Sequence, residues 1–112
     1  MLPKKNRLTK KNDFDAVFRK GVAVKSDFLI LKTLKNNLKE SRFGFVVSKK
    51  VSAKATVRNK IKRRLRDAVF QKIAEIKNSV DAVAVVLPGA EKKDFLEIKN
   101  TINNLFSKLK II

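Results

Sequence analysis

Residues 42–66 read RFGFVVSKKVSAKATVRNKIKRRLR, and the change of hydrophobic period inside this stretch decides the fold. From Arg42 to Ser48 the chain is rich in aromatic and β-branched residues, the composition of a strand. From about Thr56 the pattern changes: Val57, Ile61 and Leu65 recur at helical spacing, and Ala68 and Val69 extend the same stripe. The helix runs to about Lys77, continuous or broken within that span. Asn59, Lys60, Lys62, Arg63, Arg64 and Arg66 occupy the rest of its circumference. Arg58 falls at the stripe's edge, which keeps its guanidinium near the packing surface. Beyond it, residues 81–87 (DAVAVVL) are almost continuously apolar and read as a strand buried on both faces. Pro88 and Gly89 stop that strand.

On the other side of the deciding stretch, Phe28 to Leu34 reads as a strand and Asn36 to Ser41 as a polar turn. The turn joins this strand to Arg42–Ser48 as an antiparallel hairpin. Nearer the start, Asn12 is placed to cap a short helix with Phe14, Val17 and Phe18 on one face and Gly21 at its end. Asp13 and Asp15 in its first turn, and Arg19 and Lys20 in its last, suit the helix dipole. A final helix from about Asp94 to about Leu109 carries Phe95, Ile98, Ile102, Leu105, Phe106 and Leu109 on one side. The expected order is α-β-β-α-β-α, an α+β fold in which helices pack on one central, mostly antiparallel sheet as an α-β sandwich. With 112 residues the chain makes one domain, 1–112, preceded by a short basic N-terminal tail.

The formal charge of +18 is extreme for this length and calls for a neutralising partner. Its distribution locates that partner: residues 1–66 hold 21 of the 28 Lys and Arg against four acids, and residues 67–112 hold seven against six. The chain has no Cys and no His, which excludes disulfides, thiol chemistry, imidazole acid–base chemistry and the usual zinc sites. The carboxylates are scattered, and three glycines make no phosphate loop, so no catalytic or metal-binding set can be assembled. Neither a signal peptide nor a membrane-spanning run is present, and the sequence reads as a soluble cytoplasmic protein.

A charged helix is ordinarily a solvated face of mixed sign. Here Arg58, Lys62 and Arg66 repel one another at i,i+4 spacing, as do Lys60 and Arg64, so the helix accepts a local cost. Phosphates would remove that cost, and the Arg fork suits bidentate phosphate contact. A membrane-surface helix would carry a broader apolar face than this narrow aliphatic stripe. Most of the eight Phe residues fit the core. Phe14 and Phe18, one turn apart beside basic residues, fit either core packing or a platform for unstacked bases. Phe70 lies on the polar side of the basic helix; either the helix bends before it, or it packs against the segment that follows.

Residues 52–66, SAKATVRNKIKRRLR, resemble the signature of the bacterial ribonuclease P protein component. The opening NRLTKKNDFDAVFRKG (6–21) resembles that family's first helix, RFGFVVSKKV (42–51) its strand before the signature, and DAVAVVLPGA (81–90) its last strand. The resemblance spans the chain in the same order. It implies the small subunit of a ribonucleoprotein that removes the 5′ leader from precursor tRNA, with the chemistry and its Mg2+ ions belonging to a catalytic RNA subunit and the substrate. The implied partners are that RNA and precursor tRNA, with no membrane and no small-molecule substrate. Carried over by position, Arg58, Asn59 and Lys60 match an Arg-Asn-Arg triplet whose third member here is Lys. Lys62, Arg63 and Arg66 continue the RNA-facing helix, and Lys49 and Lys50 precede it. Phe14, Phe18, Leu31, Val46 and Arg58 match a cleft for single-stranded leader, with Leu31 where an aromatic is common. The resemblance also implies a left-handed β-α-β crossover through the basic helix, against the usual right-handed rule. The alternative reading is a ribosomal or RNA-chaperone protein with no part in cleavage.

Overall fold

A strand that is apolar on both faces is stable only where both faces are covered and both edges paired, and this strand organises the sheet. In the computed structural model, which describes residues 2–112, the elements are α1 (Lys11–Lys20), β1 (Val22–Ser26), β2 (Leu29–Lys35), β3 (Arg42–Val47), α2 (Ala55–Lys72), β4 (Val80–Val86) and α3 (Phe95–Lys108). The sheet order is β1-β2-β4-β3, so β4 has a neighbour on each side. It runs antiparallel to β2 (Leu31 opposite Ala84) and parallel to β3 (Phe45 opposite Ala84). The fold is α+β and the sheet mostly antiparallel, with α2 the crossover helix between the parallel pair β3 and β4.

The expected hairpin between β2 and β3 does not form. Pairing those strands with each other would push β4 to an edge and expose one row of its backbone groups. The hairpin partner of β2 is instead β1, a strand that the sequence pattern does not announce: VAVKS is short, and most of its side chains face solvent. Ser26 pairs with Leu29 across a two-residue turn in which Asp27 takes φ 52°, a left-handed conformation that a short polar side chain tolerates.

The pleat sends alternate residues to opposite faces. On one face, Leu29, Leu31, Phe43, Val47, Ala82, Ala84 and Val86 join Ile61 and Leu65 of α2 and Ile98, Ile102 and Phe106 of α3 in the main core. The Phe43 and Phe106 rings stack with centroids 5.8 Å apart. At about 25 cal/mol per Å2 of apolar surface removed from water, this face carries most of the folding drive. On the other face α1 packs together with the segment before it: Leu8, Val17 and Val83 are buried, with Phe14, Leu34, Val46 and Val85 partly covered around them.

α3 falls close to its predicted limits, and α2 starts close to its own but stops short of the expected Lys77. α2 starts at Ala55 and ends at Lys72, where Ile73–Glu75 tighten into a 3-10 turn. Asp94 caps α3 in a reciprocal box, its side chain accepting from the Glu97 N–H at 2.8 Å while the Glu97 carboxylate accepts from the Asp94 N–H at 3.3 Å. The start of α1 differs: Lys10, not Asn12, is the N-cap residue. A cap contributes only about 1 kcal/mol, and tertiary docking of the preceding residues outweighs it here.

That docking also corrects the expected tail. Leu2 and Leu8 are buried. The Leu8 N–H donates to the Phe43 carbonyl at 2.9 Å, and the Asn6 side chain donates to the Ser41 carbonyl at 2.8 Å. Residues 2–8 are therefore part of the packed structure, laid along the free edge of β3. Gly21 ends α1 as expected, for a steric reason: an added Cβ would collide with the Val17 carbonyl oxygen and lie 3.0 Å from that of Thr33. No helix among the described residues is long and apolar enough to cross a membrane.

Candidate nucleic-acid interface

With Ile61, Leu65, Ala68 and Val69 locked into the core, α2 can turn only one side outward. At 100° per residue, Asn59, Arg63 and Arg66 fall on the line opposite that stripe. They border an open hollow of about 530 Å3 together with Arg7 and Asp67. Arg7 was not expected there. Its Nε donates to the Leu2 carbonyl at 2.8 Å, so the docked N-terminal segment holds a further guanidinium against the helix. A basic residue in an apparent tail carries no signal beyond its charge, because the tail's docking depends on long-range packing.

The basic residues expected to act together are distributed around the helix. Arg58 turns back, its Nη1 donating to the carbonyls of Ser52 and Ala53 at 2.9 and 3.0 Å, so it pins the loop entering α2. Its predicted place near the packing surface is correct. Lys60 and Arg64 face away from Arg7, toward the segment before α3, where they share a hollow of about 360 Å3 with Glu91, Lys93 and Asp94. Arg64 is partly committed there, donating from Nη1 to the Lys93 carbonyl at 3.0 Å. Lys62 is half-buried beside the outward line, and Lys49 and Lys50 stand exposed in the turn after β3. Among the described residues, none of the salt bridges involves Lys60, Lys62, Arg63 or Arg66, and Asp67 is the one acidic residue of α2.

The second surface lies on the α1 face of the sheet. Phe14 and Phe18 are four apart and share one side of α1. The Phe14 ring rests directly on Gly44, at a place any Cβ would occupy, which is why β3 carries glycine there. Val46 lies beside it in the same small cluster. Phe18 is 40% exposed and sits under a cation, with Lys32 Nζ 5.2 Å from its ring centroid. Core packing thus accounts for most of Phe14 and little of Phe18.

Leu31 is not part of this surface. It is 1% exposed and belongs to the main core beneath α2 and α3. Adjacent strand residues face opposite ways, so the β2 residue next to α1 is Lys32, one position along. Nor does Arg58 meet the aromatics as expected. The α2 side chain beside Phe14 is Arg66, which lines a cleft of about 140 Å3 with Arg7, Phe14 and Gly44. One continuous strip therefore runs from the outward line of α2, past Arg7 and Arg66, to Phe14.

A charged network ties β3, β4 and α1 to one another. Arg42 on β3 and Asp81 on β4 are register partners, and the Arg42 fork donates to both Asp81 oxygens at 2.8 and 2.6 Å. Asn36 donates to the same carboxylate at 2.9 Å, and Arg42 also reaches Asp13 of α1 at 3.4 Å. The hydrogen bond to Asp81 raises the Arg42 pKa above its ordinary value, against a smaller opposing effect of burial. Among the described residues, no three carboxylate, imidazole or thiol side chains gather at one point.

These surfaces define a class: small basic α+β proteins that offer one helix to a polyanion and set an aromatic cleft beside it. The sequence model of the family described as Ribonuclease P matches residues 2–110. A ribonuclease P protein component from Pseudanabaena sp. is 37% identical, covering 100% of this chain and 97% of its own length. One from Alkaliphilus metalliredigens is 35% identical over 96% of each chain. Among solved structures, a mutant Staphylococcus aureus RNase P protein superposes with a TM-score of 0.89 at 28% identity, covering 97% of this chain and 92% of that one. The Thermotoga maritima RNase P protein gives 0.82 at 28% identity, covering 91% and 96%. The chain belongs to the ribonuclease P protein family.

Proposed function

We propose that this protein is the subunit of ribonuclease P that holds the catalytic RNA and the 5′ leader of precursor tRNA, assisting leader removal without carrying the chemistry. The supporting observation is the cationic line of α2, Asn59, Arg63 and Arg66 with Arg7 beside it, running into the Phe14 cleft. Phosphates on that line release counterions and relieve the repulsion within the helix. Single-stranded leader lies over Phe14, Phe18 and Val46, where apolar and stacking contacts act on bases not held in a duplex. Lys32, and not Leu31, is the β2 residue beside Phe18 in this cleft.

Magnesium belongs to the RNA and the substrate. Hard divalent cations take oxygen ligands, usually including carboxylates, and this chain brings no three acidic side chains together among its described residues. The protein binds and orients RNA, in the cytoplasm where precursor tRNA is matured. A coat or chaperone protein would need only the phosphate-binding helix, so the adjoining aromatic cleft favours the ribonuclease P role.

The test is reconstitution. Added to a bacterial ribonuclease P RNA at low magnesium, the protein should restore 5′ maturation of a precursor tRNA, and alone with magnesium it should leave the precursor intact. No gain over RNA alone would remove the subunit role, and cleavage by RNA-free protein would move the chemistry onto this chain.

A further inference from the structure

Phe70 is the only aromatic residue of α2, and it lies outside the packing stripe. The helix does not bend to hide it: α2 continues through Phe70 to Lys72, and the side chain remains 45% exposed. At 100° per residue, Asn59, Arg63, Arg66 and Phe70 fall within an arc of about 60° and extend about 16 Å along the axis. The outward line therefore ends in an exposed ring. Beside that ring is an open hollow of about 410 Å3 lined by Asp67, Phe70, Gln71 and Phe95 of α3.

We propose that this end of α2 is a base-stacking site, in which an unpaired RNA nucleotide lays its base on Phe70 while Arg63 and Arg66 hold the adjoining phosphates. The proposal rests on RNA binding by the same helix. It adds a requirement for an unpaired nucleotide there, at a place distinct from the Phe14–Phe18 cleft. A nucleotide brings a phosphate and a flat apolar face together, and guanidinium groups leading to an open ring match both. The Gln71 amide at the rim offers a donor and an acceptor to a base edge. A second copy of this chain fits poorly, because it would bring another charge of +18 onto an already cationic face.

The chain has no Trp, so Phe70→Trp installs a single fluorophore at the site. Its emission should be quenched by a single-stranded oligoadenylate and not by a fully paired RNA duplex of equal length. In anisotropy titrations, Phe70→Ala should weaken oligoadenylate binding roughly 5- to 150-fold. It should leave duplex binding and the dependence of log K on log salt unchanged. Any of four results would overturn the proposal: unchanged oligoadenylate affinity, an equal loss on the duplex, a Trp signal blind to RNA that anisotropy shows bound, or self-association of the free protein that Phe70→Ala abolishes. Arg63→Ala separates this failure from a failure of RNA binding itself. If it lowers affinity for both RNAs and flattens the salt dependence while Phe70→Ala does nothing, the helix still binds RNA and only the stacking site falls. If the unaltered protein binds neither RNA at low salt, both readings fall.

Discussion

The two faces of the sheet are built from the same four strands and serve different ends. The face under α2 and α3 is closed, with Leu31, Phe43, Ile98, Ile102 and Phe106 almost wholly removed from water. The face under α1 is covered by a ten-residue helix and the docked N-terminal segment, leaving Phe14 and Phe18 partly open beside Lys32. Burial on the first face supplies stability. The second face keeps apolar surface accessible at the end of a cationic strip, and Arg42 joins its strands to α1 through Asp81 and Asp13. The same residue type, Phe, is a core component on one side and a contact surface on the other.

Truncating each face should therefore give opposite phenotypes. The largest effect is expected from Phe106→Ala, which leaves a cavity in the closed face and should cost about 3–5 kcal/mol in urea unfolding, with RNA affinity of the folded fraction unchanged. Asp81→Ala follows at roughly 3 kcal/mol, because Arg42 would be left without its principal partner in a largely buried site; Arg42→Met with Asp81→Leu should recover much of that stability. On the helix, Arg63→Ala with Arg66→Ala should reduce the salt dependence of single-stranded RNA binding by about 0.7 in log K per log salt for each phosphate no longer neutralised, at little cost to unfolding stability. The smallest expected change is Lys32→Ala, removing a cation–π contact of about 0.5–1 kcal/mol from the Phe18 side of the cleft without disturbing the core. A Lys32→Ala protein destabilised as much as Phe106→Ala would erase the distinction between the faces.

Long periodic elements are legible from sequence. The stripe of α2, the doubly buried β4 and the Asp94-capped α3 all follow from spacing that tertiary packing reinforces. Pairing is less legible: β2 and β3 are neighbours in sequence, and only the need of β4 for two covered edges separates them. β1 escapes notice because an exposed edge strand has little periodicity to read. The site is legible in its residue types and not in its geometry. Three consecutive residues, Arg58, Asn59 and Lys60, cannot share one helix face, and the structure sends them in three directions. Leu31 was expected in the cleft because a motif match carries no strand parity; a shift of one residue moves a side chain through the sheet. Arg7 finds its place only because the chain before α1 packs against β3.

Leader recognition by the aromatic cleft is measured by binding of precursor tRNA, with and without its 5′ leader, to ribonuclease P RNA assembled with unaltered protein or with the Phe14→Ala, Phe18→Ala double variant. The variant should lose about 1–3 kcal/mol per stacked base on the leader-bearing tRNA and leave mature tRNA binding unchanged. Equal losses on both tRNAs, or no loss on either, would contradict it.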